Sequence, residues 1–173
     1  MKLELVPWDH ALLRTKLDPF DFTSDVDVPA LVRDMSDVMI QRGGAGLAAN
    51  QLGLPHRMFV IWSSPAVAIF NPTITDSSTE TVLLEEACLS FPHLAITVRR
   101  PRAVRVRYQT AAGEMVVRRF EGLTARVFQH EFDHINGELF FRNAGRPKLE
   151  AAIKRAKKHG VNYTLSGLMK GRT

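Results

Sequence analysis

A single cysteine, Cys88, stands in 173 residues, so no disulfide can form within the chain. A lone cysteine is by default a small buried hydrophobe. No apolar run approaches the length of a bilayer crossing, which excludes a spanning helix and predicts no membrane partner. The start, Met1-Lys2-Leu3-Glu4-Leu5-Val6-Pro7, has no apolar signal core, no small-residue cleavage site and no Arg/Ser-rich transit character, so a cytoplasmic location is expected. There is no internal repeat and no low-complexity segment. Residues 43–46 are rich in glycine, yet no Lys-Ser/Thr follows and no GxGxxG spacing fits, so a phosphate loop is not read here. Few aromatic residues interleave with the arginines of the central region, which argues against a base-stacking groove.

What is present is ordinary for a globular protein: 45% hydrophobic and 24% charged residues, enough for one domain with a proper core. The formal charge of +5 is unevenly placed. Residues 146–173 hold eight Lys or Arg and one acid, Glu150, a local net of +7 that leaves −2 for the rest. Such a tail suits RNA, a ribosome surface or an acidic membrane, but it is more often a plain solvated helix face, the reading favoured here. Residues 1–147 are therefore read as the nearly neutral main body and 148–173 as a basic C-terminal helix and tail of the same unit.

Hydrophobic periodicity places a helix from Val28, capped by Asp27, to Gly43-Gly44. Strand texture follows over 57–62, 66–70, 79–84, 96–100, 103–109 and 114–120, with clean alternation from Val104 to Tyr108. The arginines at 99, 100, 102, 105, 107, 118 and 119 then read as mostly solvent-facing. A helix over 123–136 is expected to stop at Gly137, and a basic one covers 148–159. The first 24 residues read as an irregular surface wrap. The expected fold is single-domain α+β, with mostly antiparallel strands around the second helix.

That second helix carries Gln129-His130-Glu131-Phe132-Asp133-His134. Histidines four apart share one helix face and can bind one metal ion, with Glu131 beside its open position. From composition the pattern arises by chance about 0.01 times in such a chain. Leu123, Val127, His130 and His134 read as one inward stripe. A third ligand is needed. Downstream, Glu138, Glu150 and His159 are poorly placed; upstream, Cys88 sits at a strand-to-loop passage, and a thiolate is a good ligand for a divalent metal. His10, His56, His93 and His159 lack ligand spacing. The small residues before Gln51 permit close backbone approach, and its amide could orient a substrate oxygen.

Gly44-Ala45-Gly46-Leu47-Ala48-Ala49-Asn50-Gln51, Glu86-Ala87-Cys88-Leu89-Ser90 and Gln129–His134 together resemble the three motifs of the peptide deformylases, in order and separation. Phe91-Pro92 and Leu123-Thr124-Ala125-Arg126 resemble the form found in organellar and some bacterial members. One departure is Ala87, where the family usually has glycine; its methyl is tolerated if φ is negative and strained if positive. The resemblance implies hydrolysis of the N-formyl group of formylmethionine on nascent polypeptides. It implies one divalent metal on Cys88, His130 and His134, Fe²⁺ in the cell, with Zn²⁺, Ni²⁺ or Co²⁺ as substitutes. Glu131 would be general base then acid, and Gln51 with the Leu89 N–H would hold the oxyanion. Ala45, Gly46 and Leu89 would pair with the peptide backbone. Arg126, Val127 and His130 would line the methionine pocket, Arg126 by its stem with its charge reaching solvent. Asp133 would steer an imidazole or stand exposed. A monomer, touching the ribosome through its basic helix, is expected. The rivals are a zincin-type peptidase, which needs a downstream ligand, and a non-catalytic ribosome- or nucleic-acid-binding protein on the same scaffold.

Overall fold

The computed structural model describes residues 3–63 and 66–170; Met1, Lys2 and the tail's Arg172 lie outside them. In chain order the elements are α1 (Val28–Gln41), β1 (Gly46–Ala48), β2 (Met58–Ile61), β3 (Val67–Ser77), β4 (Thr81–Cys88), β5 (Phe91–Pro101), β6 (Ala103–Gln109) and β7 (Met115–Glu121). They are followed by α2 (Gly122–Ile135), α3 (Arg146–Lys157) and the single-turn α4 (Leu165–Met169). Two antiparallel sheets result, a five-stranded one in the order β1-β2-β3-β6-β7 and the two-stranded β4-β5. This is the expected α+β architecture.

Helix α1 begins where Asp27 accepts the Ala30 N–H at 2.9 Å, with Pro29 in the first turn, where its missing N–H costs nothing. Its apolar face packs Met35 and Met39 against Leu47, Met58, Val60 and Phe70. Helix α2 turns Ala125, Phe128 and Ile135 toward Ile69, Val104, Val106 and Phe120 of the larger sheet. Truncating a fully buried ring such as Phe128 would cost about 3–5 kcal/mol. The neighbouring face of α2 meets β4 and β5. Helix α3 buries Leu149, Ala152 and Ala156 with Phe91, Leu94 and Ile96. Among the described residues no helix is long and apolar enough to cross a membrane.

Strand β5 begins at Phe91, five residues before the expected start, and four further expectations change. The N-terminal segment is irregular apart from a 3-10 turn at Ala11–Arg14, but it is no surface wrap: Leu13, Leu17 and Phe20 are buried. The Leu17 N–H bonds the Ile135 carbonyl at 2.9 Å, and at Gly137 (φ 72°) a Cβ would lie 2.7 Å from the Arg14 oxygen. Strand β3 runs past Asn71-Pro72. A register shift between Phe70 and Thr73 absorbs the proline, and Asn71 takes φ 48°. Strand β4 runs on to Cys88, because Glu86 is buried and paired rather than solvated. Arg100 is buried, unlike the exposed arginines at 99, 102, 105, 107, 118 and 119.

Candidate active site

Period-two geometry puts Glu86 and Cys88 on one face of β4, and the helical repeat puts Arg126, His130 and His134 on one stripe of α2. The two stripes meet. Cys88 Sγ lies 3.1 Å from His134 Nε2, and the donor atoms of Cys88, His130 and His134 all fall within 4.8 Å of one another. Among the described residues this is the one His/Cys/Asp/Glu group of that kind. Donors around one ion with bonds of about 2.0–2.3 Å stand about 3.3–3.8 Å apart, so one thiol and two imidazoles gathered this closely suit a single divalent cation after small shifts. Leu123 is not part of the inward stripe: it is 70% exposed at the cavity mouth, and Arg126 takes that place.

Glu86 holds the set together. Its Oε1 accepts from Arg100 Nε at 2.6 Å and Arg126 at 2.8 Å; its Oε2 accepts from Arg100 at 2.9 Å and pairs with His130 Nδ1 at 2.9 Å. A carboxylate that accepts four such contacts has no lone-pair site left over. Burial alone would raise the Glu86 carboxyl; the bonds from Arg100 and His130 instead hold it well below the usual carboxylate range. An ionised carboxylate only accepts, so Nδ1 of His130 carries a proton toward Glu86, and Nε2 is the nitrogen left for Cys88 and a metal ion. Burial lowers His130, but its hydrogen bonds to Cys88 and Glu86 outweigh it and lift that imidazole well above its ordinary value. A proton and a metal ion compete for that nitrogen. His134 is held well below its ordinary value by burial and then by the charge on His130.

Asp133 does not touch an imidazole. It accepts from Arg100 at 2.8 Å, so it reaches His130 only through Arg100 and Glu86, and Arg126, expected to reach solvent, is buried with its guanidinium on Glu86, Val98 O and Val82 O.

Glu131 projects from the adjacent stripe into a cavity of about 370 Å³ lined also by Gly44, Ala45, Gly46, Gln51 and Leu89. Burial pushes its carboxyl up to about 7, against the lowering effect of His130, and its Oε2 is buried with no hydrogen-bond partner. The glycines of the first motif bring the backbone close to this group rather than to a phosphate. A Cβ on Gly46 would sit 2.6 Å from Glu131 Oε1, and one on Gly44 2.8 Å from a Leu89 methyl. The Gln51 side-chain oxygen accepts the Ala48 N–H at 2.8 Å, which fixes the amide so that Nε2 donates to Ser90 Oγ at 3.0 Å and faces Cys88 Sγ at 3.4 Å. Asn50 donates to the His134 carbonyl at 2.6 Å, tying the first motif to the end of α2.

The downstream acids are engaged elsewhere. Glu138 pairs with Arg142, Glu150 with Arg146 at 2.8 Å, and His159 stacks on His93 at 4.5 Å. No zincin-type third ligand is formed by them.

The family model described as Polypeptide deformylase matches residues 2–163. The chain belongs to the polypeptide deformylase family. The peptide deformylase of Phenylobacterium zucineum is 38% identical over 163 residues, covering 90% of this chain and 95% of that one. The Synechococcus elongatus peptide deformylase, solved in complex with actinonin, superposes with a TM-score of 0.85 at 30% identity, over 95% of this chain and 88% of that one. That of Legionella pneumophila gives 0.84 at 31%, over 92% and 96%.

Within this deformylase the unusual Ala87 lies on β4 without a positive φ, which among the described non-glycine residues occurs only at Asn71 and His93. Its methyl therefore costs no left-handed backbone strain. Sequence reasoning missed the parts played by Glu86, Arg100, Ser90 and Asn50. One signal was readable: Arg126 precedes His130 by four residues, as His130 precedes His134.

Proposed function

We propose that this deformylase hydrolyses the N-formyl group of formylmethionine on newly made polypeptides, releasing formate, with Cys88, His130 and His134 holding one divalent metal ion. The observation that carries the reading is the convergence of these three buried donors in the cavity that also holds Glu131. When bound, the ion supplies Lewis acidity toward the formyl oxygen and brings the ionisation of water down to about pH 7. Glu131, protonatable near neutrality, takes the proton of the attacking water and returns it to the departing amine. As the carbonyl carbon becomes tetrahedral, Gln51 Nε2 and the Leu89 N–H hold the oxygen that gains charge. Ala45, Gly46 and Leu89 pair with the peptide backbone, and Val127 with the stem of Arg126 lines the methionine side-chain pocket.

Glu86 fixes the His130 ring, so that this imidazole is already oriented toward the ion. By ligand type the soft thiolate and two imidazoles accept Fe²⁺, the ion proposed for the cell, and also Zn²⁺, Ni²⁺ or Co²⁺. The chain works as a monomer in the cytoplasm, and the basic face of α3 meets the ribosome where the substrate emerges.

Formate release from a formyl-Met peptide, measured on anaerobically purified protein beside cleavage of an unformylated peptide, tests the reading. Formate release without backbone cleavage is expected; peptide cleavage without formate release would put the peptidase reading in its place.

A further inference from the structure

Arg126, His130 and His134 lie four residues apart on one stripe of α2, and each meets a successive point on β4. Arg126 donates to Val82 O at 2.6 Å and Glu86 Oε1 at 2.8 Å; His130 Nδ1 meets Glu86 Oε2 at 2.9 Å; His134 Nε2 meets Cys88 Sγ at 3.1 Å. A further bond from Arg126 to Val98 O at 2.9 Å catches β5 as well. Apolar packing gives β4 little help here, since Leu83 and Leu84 are 49% and 43% exposed. The register of β4 on the helix is therefore set by polar contacts, and the first of them in chain order is the one that holds no metal. A guanidinium suits that place because its planar fork reaches three acceptors at once, which an ammonium cannot match in geometry. Without Arg126, Glu86 would keep Arg100 and His130 but lose one donor, and two strand carbonyls would lose theirs.

We propose that Arg126 is a positioning residue: it docks β4 and β5 on α2 and so holds Cys88 and Glu86 in register with His130 and His134, its share in the methionine pocket being secondary. The proposal rests on the metal-dependent deformylase reading above. It concerns metal retention, which can be read without any turnover.

The test uses full-length wild type, Arg126→Met and Arg126→Lys, loaded with Co²⁺ without oxygen. Methionine keeps an apolar stem at the cavity wall and removes the fork; lysine restores one charge. Three quantities are read: the rate of cobalt release to a chelator, the thiolate-to-cobalt absorption band, and kcat and KM for formyl-Met and formyl-Leu peptides. Release about tenfold faster in Arg126→Met, a shifted thiolate band, a fall in kcat and an unchanged Met-over-Leu preference are expected, with Arg126→Lys in between. Unchanged release and spectrum with an altered Met-over-Leu ratio would make Arg126 a pocket residue and overturn the proposal. If Arg126→Met does not fold, Arg126→Lys decides by the same readings; if neither folds, Arg126 supports the whole scaffold and the proposal is wrong. A wild type that binds cobalt but releases no formate defeats the deformylase reading alone, while the release rate and the band still judge Arg126. A wild type that takes up no cobalt defeats both.

Discussion

Glu131, the proposed general base, occupies space that a side chain at position 46 would fill. A Cβ there would stand 2.6 Å from Glu131 Oε1 and 2.8 Å from a Val127 methyl, so one of them must move. Gly46→Ala is expected to lower kcat by about 100-fold while the ion stays bound, as checked by formate release and metal analysis on the same sample. His56 gives a pH-dependent counterpart away from the site. Burial beside Phe20 lowers its pKa from the ordinary 6.5, so the unfolded chain takes up that proton first as the pH falls. Stability present above pH 6.5 is thus lost as pH drops below it. In thermal melts, His56→Phe should show a smaller fall in Tm between pH 7 and pH 5 than wild type. The residues legible from sequence were those fixed by local spacing: His130, Glu131 and His134 by the helical repeat, and Cys88 by its place at a strand end. Glu86 was not, because Glu85-Glu86 reads as a solvated pair until Arg100 and Arg126, which are distant in sequence, reach it.

At the scale of elements, the helices were readable because α1 and α2 each show an apolar period, and α1 a capping residue. Strand ends were not. The residues that ended strands on paper were a proline and two glutamates, and the structure carries both past by tertiary means: a register shift at Pro72 and an ion network at Glu86. Asn71 makes the first of these workable. It sits at φ 48°, accepts the Phe20 N–H at 2.7 Å and donates to Phe20 O and Gln109 Oε1, which ties the N-terminal arm to β3 and β6. Asn71→Ala loses those bonds and pays the left-handed backbone penalty. A destabilisation of about 2–3 kcal/mol is expected in denaturant unfolding. Asn71→Gly should recover part of it, since glycine tolerates the backbone.

For the whole molecule, the basic tail cannot be treated as an appendage. Leu149, Ala152 and Ala156 of α3 belong to the core, and the Tyr163 hydroxyl donates to Pro92 O at 2.8 Å, four residues after Cys88. Deleting residues 148–173 would therefore disturb the fold as well as the charge. Reversing the exposed Lys154, Lys157 and Lys158 to glutamate separates the two. Formate release should be unchanged, Tm little moved, and co-sedimentation with ribosomes at low salt reduced, because exposed cations near a polyanion act through screened charge. Unaltered co-sedimentation would return the tail to the reading of a solvated face.

The proposed chemistry divides the labour, with Cys88, His130 and His134 holding the ion and Glu131 moving the proton. The most direct measurement is metal content and formate release on the same anaerobic preparations of wild type, Cys88→Ala and Glu131→Gln. Wild type should carry one ion per chain and release formate. Cys88→Ala should lose the ion and the activity together. Glu131→Gln should keep the ion and lose about 10²–10⁴-fold in kcat. A Glu131→Gln protein working near the wild-type rate, or a Cys88→Ala protein that keeps both ion and activity, would contradict the account.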